Sequence, residues 1–237
     1  MRVSDIRGIV FDKDGTLVDF QATWFAIGDL MALEAASGDR SHADELMARA
    51  GYDFANHGFR ADSVFAAGTN ADIVALWYPG LDAAGRQAMT LHFDTFTARE
   101  GARQSVPLPG CKEAIAELHR RGLKLGVATN DSTSGAEQTL AALGMSALFD
   151  AAYGYDAVAN PKPAPDAVRA FADLTGLKPA QIAVVGDNRH DLEMARAAGA
   201  GLSVGVLSGT GTRATLEPLA DVVLGSVAEL PAWLERG

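Results

Sequence analysis

One cysteine, Cys111, stands in a chain of 237 residues. A lone cysteine makes no internal disulfide, so the fold needs no oxidising compartment. It sits in Pro-Gly-Cys-Lys-Glu, the opening of a helical pattern, with no histidine close in sequence. A packed thiol is expected there rather than a nucleophile. Long hydrophobic runs are missing as well, since none approaches the ~20 residues that a membrane helix needs. The first residues, Met-Arg-Val-Ser-Asp, pass at once into a strand-like run, which does not fit a signal peptide. Together these absences predict a cytoplasmic protein. Positive charge is also scarce, the formal net charge being -10. That balance argues against nucleic acid or an anionic membrane as partner. An anionic substrate would need positive charge supplied locally by the site.

What is present reads as an ordinary globular chain, with 48% apolar and 21% charged residues. The length suffices for one α/β core and a second small unit. Short apolar runs at Ile6 to Phe11, Leu123 to Ala128, Ile182 to Val185, Gly201 to Val206 and Val222 to Leu224 have the length and β-branched content of buried strands. Helical patterns lie between them, at Lys112 to Arg121, Ser134 to Leu143, Asp166 to Leu174 and Asp191 to Ala198. Alternation of this kind predicts a parallel, Rossmann-like sheet with right-handed crossovers. From about Phe20 to Val106 the alternation stops. Ala26 to Ala36 and His42 to Ala50 read as helices there, and no run reads as a strand. The expected organisation is an α/β core of residues 1–19 and 107–237 with a helical cap of residues 20–106. Breaker-rich Val106-Pro107-Leu108-Pro109-Gly110 marks the return, and Asn160-Pro161-Lys162-Pro163-Ala164-Pro165 forms a second extended loop.

Polar residues collect where the runs end. Asp12 and Asp14 follow the first, Thr129 and Asn130 the second, Asp187 and Asp191 the third, and Lys162 lies in the Pro-rich loop. In an open parallel sheet the carboxyl ends of the strands form the ligand crevice. Carboxylates brought together repel unless a cation joins them, and an all-oxygen donor set without a histidine or cysteine cluster suits Mg²⁺. A carboxylate can also attack phosphorus. Phosphate-monoester hydrolysis is very slow in water and needs strong charge stabilisation, which Mg²⁺ and one lysine would supply. Each residue also has a plainer reading: Asp12 and Asp14 as turn formers, Thr129 as a helix cap, Lys162 as a solvated cation and Asp191 as a helix-start residue. Their joint appearance at three strand ends favours the site.

Phe11-Asp12-Lys13-Asp14-Gly15-Thr16-Leu17, Val127-Ala128-Thr129-Asn130, Lys162 in Asn-Pro-Lys-Pro-Ala-Pro, and Gly186-Asp187 with Asp191 resemble, in order, the four signatures of the haloacid dehalogenase-like hydrolases. The similarity is to their phosphoglycolate phosphatase-like branch, with a helical cap after the first signature. The resemblance implies Asp12 as nucleophile and Mg²⁺ ligand. It implies Asp14 as general acid and then base, its carbonyl also on the metal, and Asp187 as a further metal ligand. Thr129 and the Asn130 N–H would hold the phosphoryl group, Lys162 would offset its charge, and Asp191 would orient the lysine or a water. A small phosphorylated metabolite, phosphoglycolate or similar, is the implied substrate of a monomer or homodimer.

Relatives that remove halogen lack the second acid, so Asp14 argues against them. Phosphonate hydrolases of the family need a cap lysine, and residues 20–106 contain none. β-Phosphoglucomutase-like phosphomutases are the alternative; Arg60 would have to replace their cap lysine. Arg60 and the turn Gly68-Thr69-Asn70 are candidate substrate contacts from the cap. Trp24, Phe25 and Trp77 are expected to pack within the cap, and His190 is expected to be a helix-start residue rather than a metal ligand. Ser208-Gly209-Thr210-Gly211-Thr212-Arg213 has the look of a phosphate cradle but is expected to be a rim loop. Two positions depart from the branch's pattern: Lys13 stands where an apolar residue is common, and Asp19-Phe20 where a serine or threonine often follows.

Overall fold

A computed structural model describes residues 3–236; residues 1–2 and 237, which the sequence reading assigns to the core, lie outside the described residues. The chain runs through β1 (Gly8–Phe11) and then α1 (Phe20–Ala35), α2 (Arg40–Ala50), β2 (Tyr52–Asp53), β3 (Gly58–Phe59), α3 (Val64–Ala67), α4 (Asn70–Trp77) and α5 (Ala83–Gln104). It continues as α6 (Cys111–Arg120), β4 (Lys124–Ala128), α7 (Thr133–Ala142), β5 (Ala151–Tyr153), α8 (Asp166–Thr175), β6 (Ile182–Gly186) and α9 (Arg189–Ala198). The last elements are β7 (Leu202–Val206), α10 (Arg213–Leu216), β8 (Val222–Leu224) and α11 (Leu230–Arg236).

Six strands form a parallel sheet in the order β5-β4-β1-β6-β7-β8. β1 is therefore central, and all four of its residues are buried. Its side chains alternate between two hydrophobic layers, as a strand's period of two requires. Ile9 and Phe11 pack with Ile115, Leu118 and Val185, whereas Val10 packs with Phe171, Val184 and Met194 on the other face. α8 lies so close to the sheet that a Cβ built on Gly126 would stand 2.7 Å from the Phe171 ring.

Residues from Phe20 to Phe93 bury a hydrophobic cluster of their own, centred on Ile27, Met31, Met47, Trp77 and Phe93. Side-chain caps set the helix starts: Asp19 accepts from the Ala22 N–H at 3.0 Å and Asp82 from the Gly85 N–H at 2.7 Å. The two crossings into this unit run side by side, Val18 bridging Pro107 and the Asp19 N–H donating to the Val106 carbonyl at 2.8 Å.

Among the differences between the sequence reading and the structure, three have a clear physical reason. The helical insert does contain strands, a two-stranded antiparallel ribbon pairing Tyr52 with Phe59 and Asp53 with Gly58. Asp53 closes it by accepting from the N–H groups of Ala55 and Asn56 at 2.9 and 3.2 Å, a local turn device rather than a hydrophobic pattern. Edge strand β5 was not expected, because three half-buried residues carry too short a pattern. α9 begins two residues before Asp191, with Asn188 as its cap. Among the described residues no helix is long and apolar enough to cross a membrane.

The contact at Gly126 gives a stability test. Gly126→Ala forces the Phe171 ring to shift and should cost roughly 1–3 kcal/mol, read as a lower chemical-denaturation midpoint. An unchanged midpoint would contradict the packing described.

Candidate active site

The loop after β1 begins with the ladder still in force, since the Asp12 N–H donates to the Val185 carbonyl at 2.8 Å. The chain then coils on itself: the Lys13 carbonyl accepts from the N–H groups of Leu17 and Val18 at 2.8 and 3.1 Å. Gly15 turns the loop with φ +87°, and a Cβ there would stand 2.7 Å from the Asp187 carboxylate. Glycine is thus required both by conformation and by space. The turn sets the Asp12 and Asp14 carboxylates at the carboxyl end of the central strand.

Lys162 reaches the same point from the Pro-rich loop. Its Nζ lies 2.6 Å from Asp12 Oδ1 and 2.7 Å from Asp191 Oδ1. Asn130 fixes that loop, its side chain exchanging hydrogen bonds with the Lys162 backbone at 3.1 and 3.2 Å. The same amide also donates to the Ala67 carbonyl of the cap at 2.7 Å. Asp191 serves two purposes at once: Oδ2 accepts from the Asn188 N–H at 2.9 Å to cap α9, while Oδ1 holds the lysine. Thr129 is buried, and its Oγ1 accepts from the Asp131 N–H at 3.1 Å. Thr129 also lines the cleft.

Asp187 is held by the loop after β7. The Thr210 N–H donates to its Oδ2 at 2.7 Å, and Thr16 Oγ1 to its Oδ1 at 3.5 Å. Any Cβ on Gly209 would overlap the same carboxylate. The glycine-rich run from Ser208 to Arg213 therefore embraces a carboxylate. Its Thr210 N–H is already used, so the run is a support loop, as its expected place at the rim implied, and the phosphate-cradle look has a different origin.

Asp12, Asp187 and Asp191 offer carboxylate oxygens that lie within 4.8 Å of one another, all buried. Burial pushes the Asp12 carboxyl up to about 7, with the charges of Asp191 and Asp14 adding to it against the opposing pull of Lys162. Asp187 is likewise raised well above the usual carboxylate range by burial and by Asp12 and Asp191. Burial alone would lower Lys162, but Asp12 and Asp191 outweigh it and hold the ammonium charged. Three carboxylates share one ammonium, an excess of negative charge that a bound divalent cation would relieve. The donors are all oxygen, which fits Mg²⁺.

Asp14 lines the same cleft but has partners of its own. Its Oδ2 lies 2.6 Å from Lys13 Nζ and its Oδ1 accepts from Trp24 Nε1 at 2.7 Å. Lys13 is itself buried and also pairs with Asp131 at 3.1 Å. Trp24 was expected only to pack. It does pack against Phe20 and Phe65, but its indole N–H is turned to the site. Trp77 follows expectation inside the cap cluster, whereas Phe25 is exposed and touches only the rim of it, against Tyr52. Arg60 is not brought to the site: it is exposed and donates to the Ala48 carbonyl at 3.0 Å. Gly68, Thr69 and Asn70 do line the cleft, together with Phe20, Phe65 and Ile73 from the cap. His190 lines it too, its Nδ1 3.4 Å from the Ala67 carbonyl. Cys111 is buried and its thiol is pushed up to about 12 by burial, consistent with a packed residue. Sequence reasoning missed Asp131 altogether. Its place one residue past Asn130 was the available signal, but only folding shows that it meets Lys13.

A parallel α/β sheet, an inserted helical cap and a cluster of buried carboxylates that could hold a metal ion, at the ends of the central strands, are the features of a capped α/β hydrolase. The chain belongs to the haloacid dehalogenase-like hydrolases, whose sequence model matches residues 6–199. It is 31% identical over 214 residues to the phosphoglycolate phosphatase of Escherichia coli O157:H7, covering 84% of this chain and 80% of the relative. The Salmonella typhimurium phosphoglycolate phosphatase matches with the same identity and coverage, 31%, 84% and 80%. Among solved structures, a hydrolase from Pseudomonas syringae superposes with a TM-score of 0.70 at 23% identity, covering 98% of both chains. CbbY from Rhodobacter sphaeroides, in complex with phosphate, superposes with a TM-score of 0.65 at 24% identity, covering 97% of this chain and 99% of its own. These last two likenesses show the fold.

The carboxylate triangle makes a binding prediction. Asp187→Asn should weaken Mg²⁺ binding, read by titration calorimetry, by at least about tenfold. An unchanged affinity would rule out a cation at this triangle.

Proposed function

We propose that the chain is a Mg²⁺-dependent phosphoric monoester hydrolase that acts on phosphoglycolate, or a phosphate monoester of similar size, through an aspartyl-phosphate on Asp12. The observation that carries this reading is the Asp12 carboxylate, held by Lys162 beside Asp187 and Asp191 at the floor of a cap-covered cleft. The residue roles follow from chemistry. One Asp12 oxygen attacks phosphorus while the bond to the leaving oxygen breaks, and Asp14 gives that oxygen its proton. Water then attacks the phosphoenzyme, Asp14 takes its proton, and phosphate departs with Asp12 restored. Lys162 and the Thr129 hydroxyl, with the Asn130 N–H, meet the phosphoryl oxygens as their charge develops. Mg²⁺ on Asp12, Asp187 and the Asp14 carbonyl, with Asp191 holding Lys162, would neutralise the phosphoryl charge. Phe20, Trp24 and Phe65 cover the cleft and keep bulk water from the intermediate.

The cleft favours a small substrate. The space open to the centre of a water-sized sphere is about 60 Å³, several times the ~10–15 Å³ that one water needs. The 31%-identical phosphoglycolate phosphatases support the same choice. Among the described residues, Lys162 and His190 are the basic side chains lining the cleft, and His190 is the one left to meet a substrate carboxylate. The phosphomutase alternative would ask for a cationic side chain from the cap. Arg60, its candidate, is engaged with Ala48 and does not line the cleft, so hydrolysis is the better-supported reaction.

Kinetics separate these readings. With Mg²⁺ the protein should release phosphate from phosphoglycolate and from p-nitrophenyl phosphate, and chelation should abolish both. His190→Gln should raise KM for phosphoglycolate several-fold more than for p-nitrophenyl phosphate. Conversion of glucose 1-phosphate to glucose 6-phosphate faster than phosphate release would favour the mutase. No turnover on a panel of metabolite phosphates would overturn the proposal.

A further inference from the structure

Lys13 is 1% exposed and is not among the residues lining the cleft, so it does not touch a substrate there. Its ammonium is nevertheless the centre of a compact cluster. Asp14 Oδ2 lies 2.6 Å away, Asp131 Oδ2 lies 3.1 Å away, and the Trp24 ring centroid lies 5.4 Å away. Asp131 is itself immobilised. Its Oδ1 accepts from the Ser132 N–H at 2.7 Å, its own N–H donates to Thr129 Oγ1 at 3.1 Å, and its carbonyl accepts from the Tyr155 N–H at 3.0 Å. The lysine thus ties Asp14 to a carboxylate fixed at the end of β4. The opposite oxygen of Asp14 is held by the Trp24 indole N–H, from the first helix of the cap.

Net stability does not account for this arrangement. Removing two charges from water costs several kcal/mol per ion, and a buried pair often contributes no more than an apolar pair of the same volume. What such a pair does supply is direction, because both carboxylates and the ammonium must keep one geometry to stay satisfied.

We propose that Lys13, anchored by Asp131, is a positioning residue that aims the Asp14 carboxylate, and that Trp24 is the cap's share of the same hold. The inference rests on the reading of Asp14 as the group that protonates the leaving oxygen. The core grips one oxygen of Asp14 and the cap grips the other. Displacement of the cap helix therefore releases Oδ1 while Lys13 keeps Oδ2 in place.

A leaving-group comparison tests this. kcat/KM reports the first irreversible step, in which an alkyl leaving oxygen needs a proton and p-nitrophenolate hardly does. Wild type, Lys13→Met, Trp24→Phe, Asp131→Asn and Asp14→Asn are assayed with Mg²⁺ on phosphoglycolate and p-nitrophenyl phosphate. Positioned acid catalysis contributes ~10²–10⁴ in rate. Lys13→Met should accordingly lower kcat/KM for phosphoglycolate about tenfold or more beyond its effect on p-nitrophenyl phosphate, with the loss in kcat rather than KM. Asp131→Asn should follow in the same direction, and Trp24→Phe, which keeps a ring and removes only the N–H, should show a smaller loss of the same kind. If Lys13→Met does not fold, Trp24→Phe and Asp131→Asn carry the test. Equal losses on both substrates, or no loss, would overturn the inference. If Asp14→Asn itself shows no leaving-group dependence, the reading of Asp14 fails and this inference with it. If Asp14→Asn shows it and the other variants do not, the inference alone fails.

Discussion

Asp12, Asp187 and Asp191 stand within 4.8 Å of one another and out of water, an arrangement that no chain keeps without compensation. Burial and mutual repulsion push Asp12 and Asp187 upward, and the surrounding structure works against that push. Lys162 bridges Asp12 and Asp191, and Asn130 holds the lysine's loop. The Thr210 N–H braces Asp187 from the loop after β7. Gly15 and Gly209 leave the room that these contacts need. The remaining negative charge would favour a divalent cation, and in the proposed function one of these carboxylates is the group that meets phosphorus.

A second carboxylate group is compensated separately. Lys13 sits between Asp14 and Asp131 as Lys162 sits between Asp12 and Asp191. Both groups reach the cap. Asp14 accepts from Trp24, Asn130 donates to the Ala67 carbonyl, and Tyr155 donates to Asp94 of α5 at 2.5 Å. Asp94 in turn accepts from Asn70, at the cleft, at 2.9 Å. These polar contacts cross between cap and core at the site, while away from it α5 packs along α7 of the core.

Much of this was legible in the sequence. The strand-end positions of Asp12, Thr129 and Asp187 followed from short apolar runs stopping at polar residues, and alternation with helices implied the parallel sheet. Lys162 was visible because prolines on both sides fix its loop. Other features depend on contacts that sequence distance hides. Asp131 lies 118 positions after Lys13 in the chain, and only the pairing of β1 with β4 brings their loops together. Trp24 shares a helix with packed residues, and nothing in periodicity marks an indole N–H that turns to a carboxylate. Arg60 shows the converse: a cation in a cap loop invites a substrate role, but a local carbonyl takes its guanidinium.

The central claim is that Asp12 carries the phosphoryl group during turnover. Acid quenching of the protein with Mg²⁺ and a phosphate monoester, followed by peptide mass mapping, tests it most directly. The account predicts an acid-stable, base-labile phosphoryl group on the peptide containing Asp12, absent from Asp12→Asn. A phosphoryl group on another residue, or full turnover by Asp12→Asn, would contradict it.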